Sequence, residues 1–308
     1  MADSHRLITV FGGTGFLGQA IVRALIEAGR SVRIAARHPK LPDWYQVGDP
    51  ITLVEADILD EESVKQAVQG ATGVANAVSL YVQKRHIRFS DIHVDGAGRI
   101  ARRAREAGVS QLVQISGIGA DTQSPSAYIR ARAQGEAAVL EHFPKATILR
   151  PSVMFGPDGA FLSSLSQLTR LPLIPLFGKG ETRLQPVHVD DVARAVERAL
   201  SPRPPERRFF ELGGREVMTY RQIITQVLAH RHRQRPLIPV PFLAWHLLAS
   251  LAQRLPSAPL THDQIFLMQQ DNSVSENVGT FEELGIMPRL LSDYLSQCSA
   301  QRTSRNAE

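Results

Sequence analysis

LITVFGGTGFLG, residues 7–18, runs from an apolar, β-branched stretch into glycines at positions 12, 13, 15 and 18. It opens onto AIVRALIEAG, residues 20–29, whose apolar positions recur at helical spacing. A strand, a glycine-rich bend and a helix are therefore predicted in succession. Lacking a Cβ, Gly12 and Gly13 make the tight turn, Gly15 lets the backbone approach a pyrophosphate, and Gly18 lets the helix sit close to the sheet. The helix N-terminus, with its free N–H groups and positive dipole end, then faces the anion. A dinucleotide is the expected ligand.

Working outward, strand-like runs alternate with helical ones. Strands are predicted at 7–11, 31–36, 51–55, 73–78, 111–116 and 146–150, and helices at 16–29, 61–69, 90–107 and 126–142. Such alternation predicts a parallel sheet covered on both faces. SVRIAA (31–36), ITLVE (51–55), VANAV (74–78) and QLVQIS (111–116) are short and apolar, as buried parallel strands should be. Right-handed crossovers then give an α/β fold, a Rossmann-type doubly wound parallel sheet with a smaller α/β C-terminal lobe. Residues 1–150 form the expected nucleotide-binding core, to which later segments return. Residues 151–298 form the smaller substrate or partner lobe, with a helix near 190–200 and a strand at 209–212. Residues 299–308 read as a frayed polar tail.

Composition narrows the function classes. The 308 residues are 43% hydrophobic and 21% charged, an ordinary globular balance with a net charge of +5. The cations are scattered, apart from His230-Arg231-His232-Arg233-Gln234-Arg235, which reads as a solvated helix end. No nucleic-acid partner is expected. One cysteine, Cys298, rules out an internal disulfide and a thiolate metal site. The start shows no apolar signal core, and the longest apolar stretch, 237–252, is broken by Pro239, Pro241 and His246 and falls short of the ~20 residues of a spanning helix. The expectation is a cytoplasmic chain without a transmembrane segment.

The second strand indicates which nucleotide. NAD-selective sites end it with a carboxylate for the ribose hydroxyls, whereas here it ends Ile34-Ala35-Ala36-Arg37-His38. A guanidinium grips a 2′-phosphate that a carboxylate would repel, so Arg37, helped by Arg33 or His38, favours NADP(H), with NAD(H) as the alternative. Asp57, after the third strand, is placed to accept from the adenine amino group or to start the 61–69 helix.

GGTGFLG, Ala56-Asp57-Ile58, Ser116-Gly117, Tyr128-x-x-x-Arg132-x-x-Gly135-Glu136 and Arg150-Pro151-Ser152-Val153-Met154-Phe155-Gly156-Pro157 stand in the order of the extended and atypical short-chain dehydrogenase/reductases, which the chain resembles over most of its length. Within them, Ser124–Tyr128, His142–Ser152 and Gln185–Val192 are similar to the NAD(P)-binding accessory subunit of respiratory complex I and its bacterial relatives. The resemblance implies a Rossmann domain that holds NADPH tightly and serves the assembly or stability of a membrane-bound respiratory complex. Another branch of these relatives assists coenzyme Q biosynthesis, so quinone-biosynthesis proteins are a second class of implied partner. Both place the chain peripherally on the inner membrane face. Residue by residue, the resemblance assigns Gly12, Thr14, Gly15, Phe16, Leu17 and Gly18 to the diphosphate loop, Arg37 to the 2′-phosphate, and Asp57 and Ile58 to adenine. It assigns Ala77, Val78 and Ser79 to the ribose–nicotinamide path, Ser116, Tyr128 and Arg132 to the nicotinamide ribose, and Pro151, Ser152 and Val153 to a cover over the nicotinamide.

Ser116, Tyr128 and Arg132 also stand at the catalytic positions, where active members carry Ser or Thr, Tyr and a Lys in a Tyr-x-x-x-Lys spacing. Bringing a tyrosine from a pKa near 10 to about 7 needs roughly 4 kcal/mol of preferential phenolate stabilisation. A guanidinium supplies charge but takes no part in a proton relay and is longer and planar. Ser116 also lies only twelve residues before Tyr128, a short separation for this family. An impaired catalytic set is expected, with Arg132 one helical turn from Tyr128 where a cation meets a ring. Three functions stay open: an NADP(H)-holding structural or assembly protein, an active NADPH-dependent reductase or epimerase/dehydratase-like enzyme, and a nucleotide-redox sensor. His188, Asp190 and Asp191 lack a third ligand for a metal site, and Asp190 reads as the cap of the 190–200 helix. In residues 241–256, Phe242, Trp245, Leu248, Ala249 and Ala252 share one helical face, read as packing into the lobe, with a membrane interface or membrane-bound partner as the alternative.

Overall fold

The computed structural model describes residues 6–83, 86–252 and 261–305. The chain divides into two compact units, Met1–Pro151 with Val189–Leu212 and Ser275–Met287, and Ser152–His188 with Gly213–Val274 and Pro288–Glu308.

The first unit begins β1 (Leu7–Phe11), α1 (Phe16–Glu27), β2 (Ser31–Ala36), β3 (Ile51–Glu55), α2 (Glu61–Val68) and β4 (Gly73–Asn76). A π-helix, Asp91–Gly96, runs on into α3 (Ala97–Glu106), followed by β5 (Gln111–Ile115), α4 (Ala127–His142) and β6 (Thr147–Pro151). The second unit takes β7 (Met154–Phe155), α5 (Ala160–Leu168), β8 (Ile174–Phe177), β9 (Arg183–Leu184) and β10 (Val187–His188). The chain returns to the first unit for α6 (Val189–Ala199) and β11 (Phe209–Leu212). It then completes the second with β12 (Met218–Thr219), α7 (Tyr220–His230), β13 (Leu237–Val240), α8 (Phe242–Ala252), α9 (His262–Leu267) and α10 (Leu291–Arg305).

Seven parallel strands in the order β11-β6-β5-β4-β1-β2-β3 make the central sheet. The order reverses between β1 and β4, the switch point beside which doubly wound sheets bind ligands. Helices α2, α3 and α4 close over a cluster that includes Phe11, Val64, Val74, Ile100, Leu112 and Ile148, while α1 packs with α6. Thr9, buried in β1, is satisfied by donating its Oγ1 to Ala67 O at 2.8 Å. β3 departs from the expected buried strand: it forms the sheet edge and leaves Leu53 42% exposed. The fourth strand stops at Asn76, two residues short of the prediction, and releases Ala77 and Val78 into the loop beyond it.

The second unit holds the two-stranded pairs β10-β7, β12-β9 and β13-β8 around Phe155, Ile174, Leu176, Tyr220 and Ile223. In the basic run, Arg231 donates to Ser166 Oγ and Arg233 to Thr169 O, so it ties the end of α7 to the end of α5. On α8, Trp245 donates to Leu176 O at 3.0 Å and Ala249 is buried, as expected, but Leu248 is exposed together with Leu243 and Leu247. The side chain of Ala252, on that predicted face, and residues 253–256 of the stretch lie outside the described residues. Residues 299–305, expected as a frayed tail, continue helix α10, and 306–308 lie outside the described residues. Helix α6 begins at Val189, so Asp190 and Asp191 both occupy its first turn, where acids suit the positive dipole end.

Candidate cofactor site

The bend after β1 works through two glycines at once. Gly12 adopts φ +75°, and its carbonyl accepts from Gly15 N at 2.9 Å, which closes the turn at the start of α1. A Cβ on Gly18 would lie 2.0 Å from that same Gly12 carbonyl oxygen. The requirement for glycine at 18 therefore comes from the turn riding over the helix, a closer contact than the helix–sheet packing expected from sequence.

The turn forms one wall of a cleft of about 360 Å³ at the carboxyl ends of β1, β2 and β4. Of the residues singled out in the sequence, Gly12, Thr14, Gly15, Arg37, Asp57, Ile58, Ala77, Val78 and Ser79 line it, and His38 joins them. Phe16, Leu17 and Gly18 do not; they form the first turn of α1, with Leu17 and Gly18 buried. Arg33, expected as a helper of Arg37, is engaged elsewhere: its Nη1 donates to Ala67 O at 2.9 Å and Gln69 O at 2.7 Å at the end of α2. Arg37 is exposed and makes no ion pair or side-chain hydrogen bond among the described residues. Asp57 Oδ1 accepts from Leu59 N at 2.9 Å and so shapes the loop, while the cap of α2 is Asp60, whose side chain accepts from Ser63 N.

A buried polar and aromatic cluster lies next to Ser79. Arg132 stands one turn beyond Tyr128 on α4, with its guanidinium carbon 4.9 Å from the Tyr128 ring centre, and Nη2 donates to Ser79 Oγ at 3.1 Å. Nε and Nη1 of Arg132 and the hydroxyl of Ser116 are buried with no partner among the described residues. Three donors enclosed in this way call for an acceptor-rich ligand. Tyr128 is packed by Phe89 and by the edge of His93, at 5.4 and 5.6 Å between ring centres, and by Tyr81 at 5.9 Å. Burial pushes the Tyr128 hydroxyl above the ordinary phenol range, more than Arg132 pulls it down. Burial works against the charge on Arg132 too, yet Tyr128 and Tyr81 beside it hold its pKa above the usual value. The pair at neutral pH is thus a guanidinium over a neutral phenol.

Two supports of this cluster were not legible in the sequence. His93 lies in the π-helix, and the Nε2 of its neutral ring meets the Leu80 backbone, 3.0 Å from O and 3.3 Å from N, tying down the loop that carries Ser79 and Tyr81. Burial, reinforced by the Arg132 charge, lowers its pKa to about 4. The π-helix rests directly on α4, where a Cβ at Gly135 would lie 1.9 Å from His93 O. Beneath the loop, Asn76 donates to Gln114 Oε1 at 2.8 Å and accepts from Val78 N at 3.2 Å. A heptad-like or 3.6-residue pattern does not reveal a π-turn, and a buried Asn–Gln pair looks polar in sequence.

Pro151 ends β6 in the first unit, while Ser152 and Val153 begin the second, where Ser152 Oγ donates to Asn272 and Val153 N to Asn272 Oδ1 at 3.0 Å. In the same unit His188 packs edge-on against Phe155. Asp191 in α6 is fully buried, with Arg194 at 3.7 Å. No group of three or more metal-ligating side chains occurs among the described residues.

The residues fit a dinucleotide: a backbone cradle that a Cβ would fill, an open guanidinium at the end of β2, and enclosed donors beside the cleft. Residues 8–213 match the NAD dependent epimerase/dehydratase family, and the chain belongs to it. It is 33% identical to the protein named NADH dehydrogenase [ubiquinone] 1 alpha subcomplex subunit 9, mitochondrial, of Arabidopsis thaliana, over 93% of this chain and 75% of that one. The protein of the same name from Mus musculus is 29% identical over 91% of this chain and 76% of its own. The fold is shared with the NADPH-dependent quinone oxidoreductase from Escherichia coli complexed with NADPH, at a TM-score of 0.76 and 18% identity, covering 94% of this chain and 99% of that one. The resemblance to short-chain dehydrogenase/reductases and to the complex I accessory subunit therefore holds.

Proposed function

We propose that the chain holds NADP(H) as a tightly bound structural ligand and serves a membrane-bound respiratory complex as an accessory or assembly subunit, peripherally on the cytoplasmic face of the inner membrane. The observation that carries this reading is the buried Arg132 lying over a Tyr128 whose hydroxyl is pushed away from neutral pKa. A phenol in that state is a poor proton donor and acceptor at pH 7, whereas the guanidinium is an unvarying hydrogen-bond donor. The cofactor, when bound, supplies a hydride donor.

In this reading Gly12, Thr14 and Gly15 hold the diphosphate, and Arg37 holds the 2′-phosphate, which favours NADP(H) because no carboxylate follows β2. Asp57 and Ile58 meet adenine, Ala77 to Ser79 follow the ribose path, Ser116 and Arg132 offer the ribose their unengaged donors, and Tyr128 meets it beside them. The partner class comes from the respiratory-complex subunits among the relatives. No helix among the described residues is long and apolar enough to cross a membrane, so the proposed attachment is through a partner or the surface. Nucleotide released from the purified chain and identified, followed by addition of carbonyls and quinones to the loaded protein, tests the reading. Retained, unreactive NADPH is expected; oxidation by a defined carbonyl or quinone that Tyr128→Phe abolishes would overturn it in favour of an active reductase.

A further inference from the structure

The opposite edge of the sheet holds a second cleft, of about 280 Å³, whose walls carry Arg6, Lys145 and Arg208 and no carboxylate. Arg6 immediately precedes β1, Lys145 lies two residues before β6, and Arg208 immediately precedes β11. Parallel pairing thus brings three cations from distant parts of the chain to the amino-terminal edge, away from the cofactor cleft at the carboxyl ends.

Helices of a doubly wound sheet end at this edge, and cations there ordinarily serve helix C-terminal carbonyls. These three do not: none makes an ion pair or a side-chain hydrogen bond among the described residues. Two neutral side chains in the wall are already engaged, Ser110 with Thr72 O at 2.8 Å and Gln111 with Ser201 O at 2.5 Å. Arg6 Nη1 is enclosed without an acceptor among the described residues. A charged donor left so is costly unless a ligand supplies the acceptor, and three like charges around one cavity repel until an anion enters.

We propose that Arg6, Lys145 and Arg208 form an anion site that takes a phosphate group. A phosphate dianion presents oxygens in several directions, matching two guanidinium forks and one ammonium point charge better than a planar carboxylate does. The cavity is larger than a bare phosphate, so the group arrives on a phosphorylated metabolite or on the headgroup of a phosphomonoester lipid.

Titration calorimetry of the full chain with inorganic phosphate tests the site, and vesicles of phosphatidylcholine with and without phosphatidic acid separate the two sources. The Arg6→Gln/Lys145→Gln/Arg208→Gln variant, its fold checked by circular dichroism, should bind phosphate at least tenfold more weakly. Wild type and variant are both titrated with NADPH saturating the other cleft, whose glycine turn and Arg37 would otherwise take up phosphate as well. Lys145 is exposed, so Lys145→Glu gives a folding-safe second variant with the same direction of loss. Binding confined to soluble phosphate assigns a free metabolite, and retention on phosphatidic acid vesicles assigns the headgroup. Wild-type affinity in the triple variant and in Lys145→Glu, or no binding of either probe by the wild type, overturns the proposal.

Discussion

Replacing Arg132 with Met should separate holding a ligand from holding the fold. In the free protein the guanidinium gains a cation–π contact with Tyr128, worth about 0.5–2 kcal/mol, and one charge-assisted hydrogen bond to Ser79, worth about 1.5–3 kcal/mol. Against this, two buried nitrogens, Nε and Nη1, lack acceptors, at about 1–3 kcal/mol each. The two sides nearly cancel, and a methionine keeps the packing of the aliphatic stem without a charge. Stability of the nucleotide-free Arg132→Met variant should therefore lie within about 1 kcal/mol of the wild type. The nucleotide-bound state should not be spared, because one lost charge-assisted bond weakens binding by about 1.5–3 kcal/mol, or roughly ten- to a hundredfold in Kd. Urea unfolding with and without NADPH, together with direct titration of the nucleotide, reads both numbers. A variant that loses more than about 3 kcal/mol when empty yet binds NADPH with wild-type affinity would refute the reasoning, since the guanidinium would then be a structural ion with no call on a ligand.

Gly18→Ala drives a methyl group into the Gly12 carbonyl, and backbone must move on one side; a loss of about 1–3 kcal/mol and of nucleotide binding is expected in melts with and without NADPH. Stability should also fall in mild acid. His93 has a folded pKa of about 4 against an ordinary 6.5, so the unfolded chain takes up a proton in that window and the folded one does not; stability is complete above pH 6.5 and is lost by about 3 kcal/mol as pH falls to 4. Urea unfolding at pH 7 and pH 4.5 should show this slope in the wild type and a flatter one in His93→Asn. Finally, Arg37→Gln should weaken NADPH by about tenfold or more and leave NADH nearly unchanged, as one charge-assisted phosphate contact requires; equal losses for both nucleotides in parallel titrations would remove Arg37 from the 2′-phosphate.

Much of the candidate site could be read from the chain because it rests on local chemistry. The glycine bend, the residue that follows β2 and the Tyr128–Arg132 spacing are each defined within a few consecutive positions, and the structure brings them to one cleft and its neighbouring cluster. Arg33 was misplaced because period-two alternation gives a side chain's face of the sheet but not the helix end waiting there to accept it. The edge position of β3 was equally invisible, since an apolar strand reads alike whether one neighbour or two will pair with it.

By itself the sequence determined the doubly wound parallel architecture, the glycine turn between the first strand and helix and the exchange of an ammonium for a guanidinium beside the tyrosine, because strand and helix periods, glycine freedom and side-chain chemistry are properties of short segments. Tertiary structure alone decided that the guanidinium lies buried with unengaged donors, that a π-turn histidine ties down the loop next to it, and that three separated cations meet at the far edge of the sheet. Burial and partnership depend on which distant segments pack together, and no local pattern encodes them.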